Sequence, residues 1–249
     1  MARASKQTVL ITGAGRRIGA ALARHLATQG HGLVLHYHRS QKEAEALAEE
    51  LRAQAEVTLV QADLTDTAKL ETFWKGLPPC TDFIHNASVF GRDTLDTLSA
   101  ESLRTHLAVH IEAPLLLGKG FLAQLPQGTQ GSILILGDGE LGWSVGPNFF
   151  SYAVSKHAWQ SVIDLLAASA APRARANLLA LGPTLPSIHD AADTIERLRE
   201  HIPLRRVSAP QEVCAAVDYL LAAGSVTGQV LSLAGGLGLA TRRRPGFDG

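Results

Sequence analysis

Short apolar segments alternate with longer amphipathic segments along the chain. The short segments are rich in β-branched and aliphatic residues, whereas the longer ones are rich in Ala, Leu and Glu with apolar positions at helical spacing. The predicted strands are 8–12, 33–37, 57–62, 83–87, 132–137, 174–181 and 229–234. The predicted helices lie near 17–29, 41–54, 66–76, 99–124, 152–170, 190–200 and 210–222. This alternation predicts an α/β fold, a doubly wound parallel sheet with helices on both faces, formed as a single domain over residues 1–249.

Ligands bind to such a sheet beyond the carboxyl ends of its strands, so function is sought first in the residues that follow each strand. The first strand runs into TGAGRRIG, from Thr12 to Gly19, and then directly into a helix. Glycines in this position let the backbone turn sharply and approach a pyrophosphate, which the amides at the helix N-terminus stabilise. The turn therefore predicts a Rossmann-type site for a dinucleotide.

The end of the second strand indicates which dinucleotide binds. NAD sites place an acidic residue there for the ribose 2′-hydroxyl, whereas a 2′-phosphate calls for cations. The segment LHYHRS contains Arg39, and no Asp or Glu occurs from 31 to 41. We therefore expect NADPH, with its 2′-phosphate held by Arg39, Ser40 and Arg17. Asp63, which follows the third strand, suits the adenine amino group or caps the next segment.

Composition and charge narrow the class of protein. Lys and Arg total 23 and Asp and Glu total 23, so no net field would attract a nucleic acid or an anionic membrane surface. No apolar run approaches the ~20 residues of a membrane span, and the first residues lack the apolar core of a signal peptide. We expect a cytoplasmic protein that binds neither nucleic acid nor membrane. Cys80 and Cys214 match no metal or disulfide spacing, so we expect two reduced thiols and no metal.

Tyr152 and Lys156 stand four residues apart and share one face of a predicted helix. A cation beside a phenol favours the phenolate and lowers the tyrosine pKa, which makes the phenol a usable proton donor near neutral pH. The spacing alone is common in exposed helices. Because the pair follows a strand, and because a nucleotide-binding turn occurs earlier in the chain, we interpret the pair as catalytic.

Four segments resemble, in order and spacing, the short-chain dehydrogenase/reductase family over nearly the full chain. They are the glycine turn, Asn86-Ala87 after the fourth strand, YAVSK from Tyr152 to Lys156, and LGPTLPS after the sixth strand. The resemblance implies that Tyr152 protonates the product, while Lys156 holds the nicotinamide ribose and lowers the tyrosine pKa. The cofactor-binding residues predicted in this way are Gly13, Gly15, Arg16, Arg17, Ile18, Gly19, His38, Arg39, Ser40, Asp63, Asn86, Ala87, Ser88, Tyr152, Lys156, Pro183 and Thr184.

The end of the fifth strand departs from most of that family. Most members carry a serine there, whereas this chain has Asp138, fourteen residues before Tyr152. A carboxylate suits protonation of a nitrogen better than polarisation of a ketone. Together with Arg17, LHYHRS and HNASVF, it resembles the pteridine reductase branch of the family. In that branch the residue matching Phe90 stacks on the pterin ring, and the residue matching Ser88 contacts cofactor and substrate. The predicted substrate-binding residues are Ser88, Phe90, Asp138 and Tyr152.

Several side chains keep two interpretations. Glu140 is a rival for the role of the loop acid. His110 stands where many relatives carry an asparagine that organises a proton-relay water, and a histidine could donate to such a water or pack between helices. Trp143, Phe149 and Phe150 could line a flat substrate pocket, or the two phenylalanines could bury against the helix.

The resemblance implies NADPH-dependent reduction of a dihydropterin, dihydromonapterin or a relative such as dihydrofolate. Hydride would pass to the pyrazine ring, and the proton would pass through Tyr152, Asp138 or a water that they orient. The alternative is a reductase of ketones or 3-oxoacyl thioesters, which would need a hydroxyl donor in place of Asp138. A second alternative is an NADPH-binding sensor without turnover, which would have no need of a tuned proton donor.

Relatives also suggest how copies of the chain assemble. The resemblance implies a homotetramer or homodimer formed through the fourth and fifth helices and the last strand. The apolar segment EAPLLLGKGFLAQL is compatible with such a face, although core burial would give the same pattern. The basic run Arg242–Arg244 near the C-terminus is either solvated or reaches a neighbouring subunit.

Overall fold

Seven parallel strands form one sheet in the computed structural model, which describes residues 7–138, 148–186 and 194–240. The strands are β1 Thr8–Ile11, β2 Gly32–Tyr37, β3 Val57–Gln61, β4 Asp82–His85, β5 Gly131–Asp138, β6 Ala174–Leu181 and β7 Val230–Leu233. Their order is β3-β2-β1-β4-β5-β6-β7, and all neighbours are parallel. The order reverses between β1 and β4, which creates the switch point where doubly wound sheets bind their ligands. The predicted doubly wound parallel sheet is confirmed.

Helices connect most successive strands and cover both faces of the sheet. They are α1 Arg17–Thr28, α2 Gln41–Leu51, α3 Ala100–Leu107, α4 Ala113–Gln124, α5 Phe150–His157, α6 Trp159–Ala170, α7 Thr194–His201, α8 Pro210–Ala222 and α9 Leu237–Ala240. A short 3-10 helix, Thr67–Thr72, stands between β3 and β4.

Several predicted helices differ from the observed ones. The helix predicted near 66–76 is only the 3-10 helix Thr67–Thr72, and the chain turns at Gly76, which adopts φ +82°. The helix predicted over 152–170 begins at Phe150 and is interrupted at Ala158 between α5 and α6. The helix predicted near 190–200 is α7, and residues 190–193 lie outside the described part of the chain.

A π turn, Ala108–Glu112, divides the helix predicted over 99–124 into α3 and α4. Pro114 accounts for the irregularity because it has no N–H to donate to the carbonyl of His110, four residues earlier. That carbonyl accepts a hydrogen bond from the indole N–H of Trp159 at 2.6 Å instead. The main chain is therefore satisfied, and the turn carries the His110 ring into the protein interior.

Alternate residues of the strands supply two hydrophobic layers, one on each face of the sheet. In β1, Val9 and Ile11 pack in the layer that α1 and α8 cover, whereas Leu10 packs in the layer that α4 and α6 cover. Trp159 and Phe121 are among the largest fully buried side chains of the second layer. Because helices cover both faces of the sheet, we expect a ligand site at the carboxyl ends of the strands.

No helix within the described ranges is both long enough and apolar enough to cross a membrane. Over the same residues, no group of three or more His, Cys, Asp or Glu side chains could hold a metal ion. Cys80 and Cys214 are buried and free, as predicted. Burial raises the pKa of the Cys80 thiol to about 12, so this thiol stays protonated and unreactive.

Candidate active site

The glycine turn between β1 and α1 passes close to the ends of two neighbouring strands. Gly13 adopts φ +63°, and a Cβ at this position would lie 2.9 Å from Cα of Ala87, beyond β4. A Cβ on Gly15 would lie 2.7 Å from Oγ of Ser40, beyond β2. Glycine therefore allows the turn to approach both strand ends, as a dinucleotide site requires.

The start of α1 is packed equally tightly. A Cβ on Gly19 would lie 2.4 Å from the carbonyl oxygen of Gly13 and 2.8 Å from Nδ2 of Asn86. Ile18 is half-buried against the hydrophobic layer that α1 covers. These residues place the N-terminus of α1 directly behind the turn, where its amides can face a phosphate.

Hydrogen bonds from the end of β4 fix the turn. Oγ1 of Thr12 accepts the backbone N–H groups of Asn86 and Ala87, both at 3.0 Å. Nδ2 of Asn86 donates to the carbonyls of Thr12 and Gly13, also at 3.0 Å. Asn86 and Ala87, which the sequence offered only through family resemblance, thus connect β4 to the dinucleotide turn.

His36, at the end of β2, holds the turn from the other side. Its Nδ1 accepts the N–H of Gly13 at 3.1 Å, and its Nε2 donates to the carbonyl of Ala62 at 3.1 Å. These partners define a neutral ring, and burial lowers the pKa of His36 to about 4. Sequence reasoning missed this role, although a histidine at the buried end of the strand beside the turn was a usable signal.

Cations gather where the 2′-phosphate is expected. The end of β2 and the first turn of α2 border a cavity of about 520 Å³. Its lining consists of Arg16, Arg39, Gln41, Lys42, Glu43 and Glu45. Arg16 forms an ion pair with Glu43 within this lining. The site therefore combines fixed positive charge with carboxylates that balance it.

Arg17 lies apart from these cations. Its backbone adopts φ +55°, and its guanidinium donates to the carbonyl of Pro186 at 2.5 Å and to that of Leu185 at 3.1 Å. Arg17 and Arg39 were expected to converge on one phosphate, but Arg17 is not among the residues that line the cavity beside Arg39. Arg16, whose backbone is extended, lines that cavity with Arg39. Arg17 instead links the glycine turn to the segment beyond β6.

Asp63 follows β3 and lines a second cavity of about 310 Å³. Its Oδ1 accepts the N–H of Thr65 at 2.9 Å and the Thr65 hydroxyl at 2.7 Å, and its Oδ2 lies 3.5 Å from Nε2 of His38. Burial opposes ionisation, but the hydrogen bonds from Thr65 outweigh it and lower the pKa of Asp63. The carboxylate thus closes the turn after β3 and faces His38 with its other oxygen. It does not cap the next helix, Thr67–Thr72, whose N-cap residue is Asp66.

Pro183 and Thr184 follow β6 at the same edge of the sheet. The carbonyl of Pro183 accepts the N–H of Ser208 at 3.2 Å, and the Thr184 hydroxyl donates to the carbonyl of Gly182 at 3.1 Å. Both residues are half-buried, so the segment that leaves β6 is held against the site by the protein itself.

Tyr152 and Asp138 meet at the carboxyl end of β5. The buried phenol on α5 donates a hydrogen bond to a carboxylate oxygen of Asp138. Burial, together with the negative charge of Asp138, raises the pKa of the phenol well above its ordinary value. The net shift of the phenol pKa is therefore upward, with burial as its largest cause and Asp138 next. The lowering by Lys156 that the resemblance implies stays a prediction. The phenol is held in its protonated form.

Lys156 lies one turn further along α5 and is buried. Its Nζ donates to the carbonyl of Leu136 on β5 at 3.3 Å and lies 5.8 Å from the centroid of the Tyr152 ring. Burial lowers the pKa of this ammonium, while Asp138 opposes the shift. The structure thus brings together the three side chains proposed as catalytic. Glu140 and Trp143 lie outside the described residues.

His110 occupies the centre of the site. Its Nε2 accepts the N–H of Val89 at 3.1 Å and the Ser88 hydroxyl at 2.9 Å, and its Nδ1 donates to Oγ of Ser155 at 2.7 Å. The backbone donor at Nε2 assigns the ring proton to Nδ1, and burial lowers the pKa of His110 well below its ordinary value. Of its two interpretations, the structure favours a packed histidine, since its ring atoms bind protein groups and its carbonyl binds Trp159.

Aromatic rings continue outward from Tyr152. The ring of Phe90 meets that of Tyr152 edge-on, with 4.7 Å between centroids and an interplanar angle of 78°. Phe149 stacks on Phe90 at 4.3 Å and 8°, and the guanidinium of Arg92 lies 5.5 Å from the centroid of Phe149. Phe149 therefore packs on Phe90, and Phe149 and Phe150 are both half-buried at the start of α5. A role of these rings in lining a substrate pocket stays a prediction.

A family model described as enoyl-(acyl carrier protein) reductase matches residues 13–238. The chain therefore belongs to this family of short-chain dehydrogenases/reductases. The prediction of a short-chain oxidoreductase is confirmed.

Named relatives agree over nearly their full length. The chain is 30% identical over 243 residues to the dihydromonapterin reductase of Enterobacter sp. (strain 638), which covers 95% of this chain and 98% of that protein. It is 34% identical to the solved FolM alternative dihydrofolate reductase 1 of Brucella canis, complexed with NADP, with a TM-score of 0.89 over 97% of each chain. The corresponding Brucella suis protein, also with NADP, is 33% identical, with a TM-score of 0.83 over 94% of this chain and 95% of that one. The nucleotide in both structures is of the type expected here from the sequence.

Proposed function

We propose that this protein is an NADPH-dependent reductase of a dihydropterin, with dihydromonapterin or a relative such as dihydrofolate as its substrate. The observation that carries the proposal is the Tyr152 phenol bonded to Asp138, with the Phe90 ring edge-on to the phenol at 4.7 Å. A proton donor, an acid and an aromatic platform in one site suit a planar heterocycle with a basic nitrogen. The names of the Enterobacter and Brucella relatives support the same substrate class.

The residues of the nucleotide end fit NADPH. The turn has no room for side chains at Gly13 and Gly15, and Arg16 and Arg39 line a cavity that suits a 2′-phosphate. When bound, NADPH supplies a hydride from C4 of its nicotinamide. Lys156 would hold the nicotinamide ribose, as the family resemblance implies.

Tyr152 and Asp138 handle the proton. Because its pKa is raised, the phenol is protonated at neutral pH and can give that proton to a ring nitrogen of the substrate. Asp138 accepts the hydrogen bond of the phenol, so a proton that arrives on Asp138 can replace the one donated. Lys156, 5.8 Å from the phenol ring, stabilises the phenolate that forms after transfer.

NADPH oxidation with a panel of acceptors tests the proposal. We expect turnover with dihydromonapterin, dihydrobiopterin or dihydrofolate, slower turnover of the best pterin with NADH, and none of an acetoacetyl thioester. Asp138→Asn should lower kcat for the best pterin about 100-fold, the usual contribution of a general acid. Asp96→Asn, at an exposed carboxylate after β4, is the control and should leave kcat unchanged. Unchanged pterin turnover in Asp138→Asn would show that Asp138 takes no part in the proton transfer.

A reductase of ketones or 3-oxoacyl thioesters is the second candidate. The matching family model, described as an enoyl-(acyl carrier protein) reductase, shares with it an acyl thioester substrate, although an enoyl reductase acts on a C=C bond and not on a carbonyl. Such a reaction calls for a hydroxyl donor beside Tyr152, whereas Asp138 stands there. Turnover of the thioester alone in the same panel would establish this candidate. Tight NADPH binding without oxidation by any acceptor would indicate a nucleotide sensor.

We also propose that the protein is a cytoplasmic homotetramer or homodimer. Leu165 on α6 is 68% exposed and Val230 on the edge strand β7 is 46% exposed, and both lie on elements through which the resemblance implies assembly. Part of the apolar face of α4 that was expected to contact another subunit is buried within the chain, since Leu117 and Phe121 belong to its own core. Arg242–Arg244 lies outside the described residues. Light scattering should give a multiple of the 26.4 kDa chain mass, and a stable 26.4 kDa particle would contradict the proposal.

A further inference from the structure

Asp93 lies in the loop after β4 and is 5% exposed. Its Oδ1 accepts the backbone N–H of Ser151 at 3.0 Å. Its Oδ2 accepts the hydroxyls of Ser151 at 2.5 Å and of Ser102 at 2.8 Å. A buried carboxylate is costly unless its oxygens are paired, and both oxygens of Asp93 are paired. The side chain therefore joins three segments: its own loop, α3 and the start of α5.

The backbone of Asp93 holds the same part of the chain. Its N–H donates to the carbonyl of Asn148 at 3.1 Å, and its carbonyl accepts the N–H of Phe150 at 3.0 Å. A parallel bridge to Phe149 results. Main chain and side chain of one residue thus fix the segment that enters α5.

α5 receives its N-terminal cap from Asp93. Phe149, at the N-cap position, makes no side-chain capping hydrogen bond, so the first N–H groups of the helix need an acceptor from another segment. The helix dipole favours a negative charge in that place. Burial opposes ionisation, but the hydrogen bonds from Ser151 and Ser102 outweigh it and lower the pKa of Asp93.

The reacting groups lie directly beside this anchor. Tyr152 belongs to the first turn of α5, and Phe149, which stacks on Phe90, immediately precedes the helix. Phe90 precedes Asp93 in the same loop and meets the Tyr152 ring edge-on. A shift of the start of α5 would change both the reach of the phenol to Asp138 and the spacing of the aromatic rings.

We propose that Asp93 is a positioning residue of the active site. Its carboxylate fixes the N-terminus of α5 and thereby aligns Tyr152 with Asp138 and with the Phe90 ring. The role concerns the placement of the proton donor, so it holds for whichever acceptor the enzyme reduces.

Asp93→Asn tests the charge with little change of shape. The amide offers one acceptor oxygen where the carboxylate offers two, so the hydroxyl donors at Oδ2 lose their acceptor. We expect kcat to fall about tenfold or more with the acceptor that the wild type reduces fastest, since small misplacements of catalytic groups are costly. The Kd of NADPH should stay within about twofold, because the glycine turn lies on other elements and Lys156, near the far end of α5, is also held by the carbonyl of Leu136. The pH profile of kcat should also move, because burial and the contact with Asp138, which both depend on the position of α5, raise the Tyr152 pKa.

A fluorine label gives a readout that needs no turnover. The chain has three tyrosines, so incorporation of 3-fluorotyrosine gives three fluorine NMR signals, and Tyr152→Phe identifies the signal of Tyr152. Asp93→Asn should shift that signal and leave the other two in place. Asp96→Asn, at the exposed carboxylate in the same loop, should leave all three unchanged.

An unaltered kcat, pH profile and Tyr152 signal in folded Asp93→Asn would overturn the proposal. If Asp93→Asn does not fold, Ser151→Ala decides, because it removes one hydroxyl donor and keeps the backbone contact. A lower kcat and a shifted Tyr152 signal with NADPH binding intact would then support the positioning role, and no change would overturn it. If no pterin is turned over by the wild type, the proposed function fails, while the fluorine signal still tests Asp93.

Discussion

At the scale of single residues, Arg16 lies where Arg17 was expected from the sequence, beside the cation at the end of β2. Arg16 shares a cavity with Arg39, whereas Arg17 is bonded to two carbonyls beyond β6. We expect Arg16→Ala and Arg39→Ala to raise KM for NADPH about tenfold or more, because a charge-assisted hydrogen bond contributes ~1.5–3 kcal/mol. KM for NADH, which lacks the 2′-phosphate, should stay unchanged.

Arg17→Ala is the matched control for this prediction. It should affect the two nucleotides equally, because its partners are main-chain carbonyls of the protein. Steady-state kinetics with both nucleotides measure the ratio of the two KM values. A ratio altered by Arg17→Ala and not by Arg16→Ala would contradict the assignment.

How far single residues could be predicted depends on the sequence distance of their partners. Tyr152 and Lys156 could be predicted as a pair from the sequence, because a spacing of four residues puts them on one face of a helix. The contacts of Asp93 and His36 could not be predicted in this way. The partner of Asp93, Ser151, lies 58 residues away, and His36 binds Gly13 across 23 residues. Spacing rules describe a single element, whereas these side chains act between elements that only the folded sheet brings together.

At the scale of elements, the strands were predictable and the irregular helices were not. Each strand carries its own signal, a short apolar run bounded by polar residues, so every predicted strand overlaps an observed one. Pro114 was a usable signal of a defect in the helix predicted over 99–124, but that helix was predicted as continuous. The π turn at that defect is completed by Trp159, which lies 49 residues beyond His110. Local sequence therefore marks where the main chain loses a donor, and the fold determines which donor replaces it.

At the scale of the whole molecule, three buried neutral histidines make the stability of the fold depend on pH. His36 binds Gly13, His85 lies 3.0 Å from Oγ1 of Thr12, and His110 holds the loop after β4. Burial lowers the pKa of His36 to about 4 and that of His85 to about 3, and it lowers that of His110 well below 6.5. In the unfolded chain each would titrate near 6.5, so acid protonates the unfolded state first and favours unfolding.

Stability should therefore be fully present above pH 6.5 and fall as the pH decreases toward 4. The His36 shift alone corresponds to roughly 3 kcal/mol, a large part of the ~5–15 kcal/mol of a typical domain. Urea unfolding at a series of pH values measures the slope. His36→Gln, which offers an acceptor and a donor without a titrating ring, should flatten it, whereas His201→Gln, at an exposed histidine of α7, should keep it. A free energy of unfolding that stays constant between pH 6.5 and 4 would show that these rings are not held neutral by the fold.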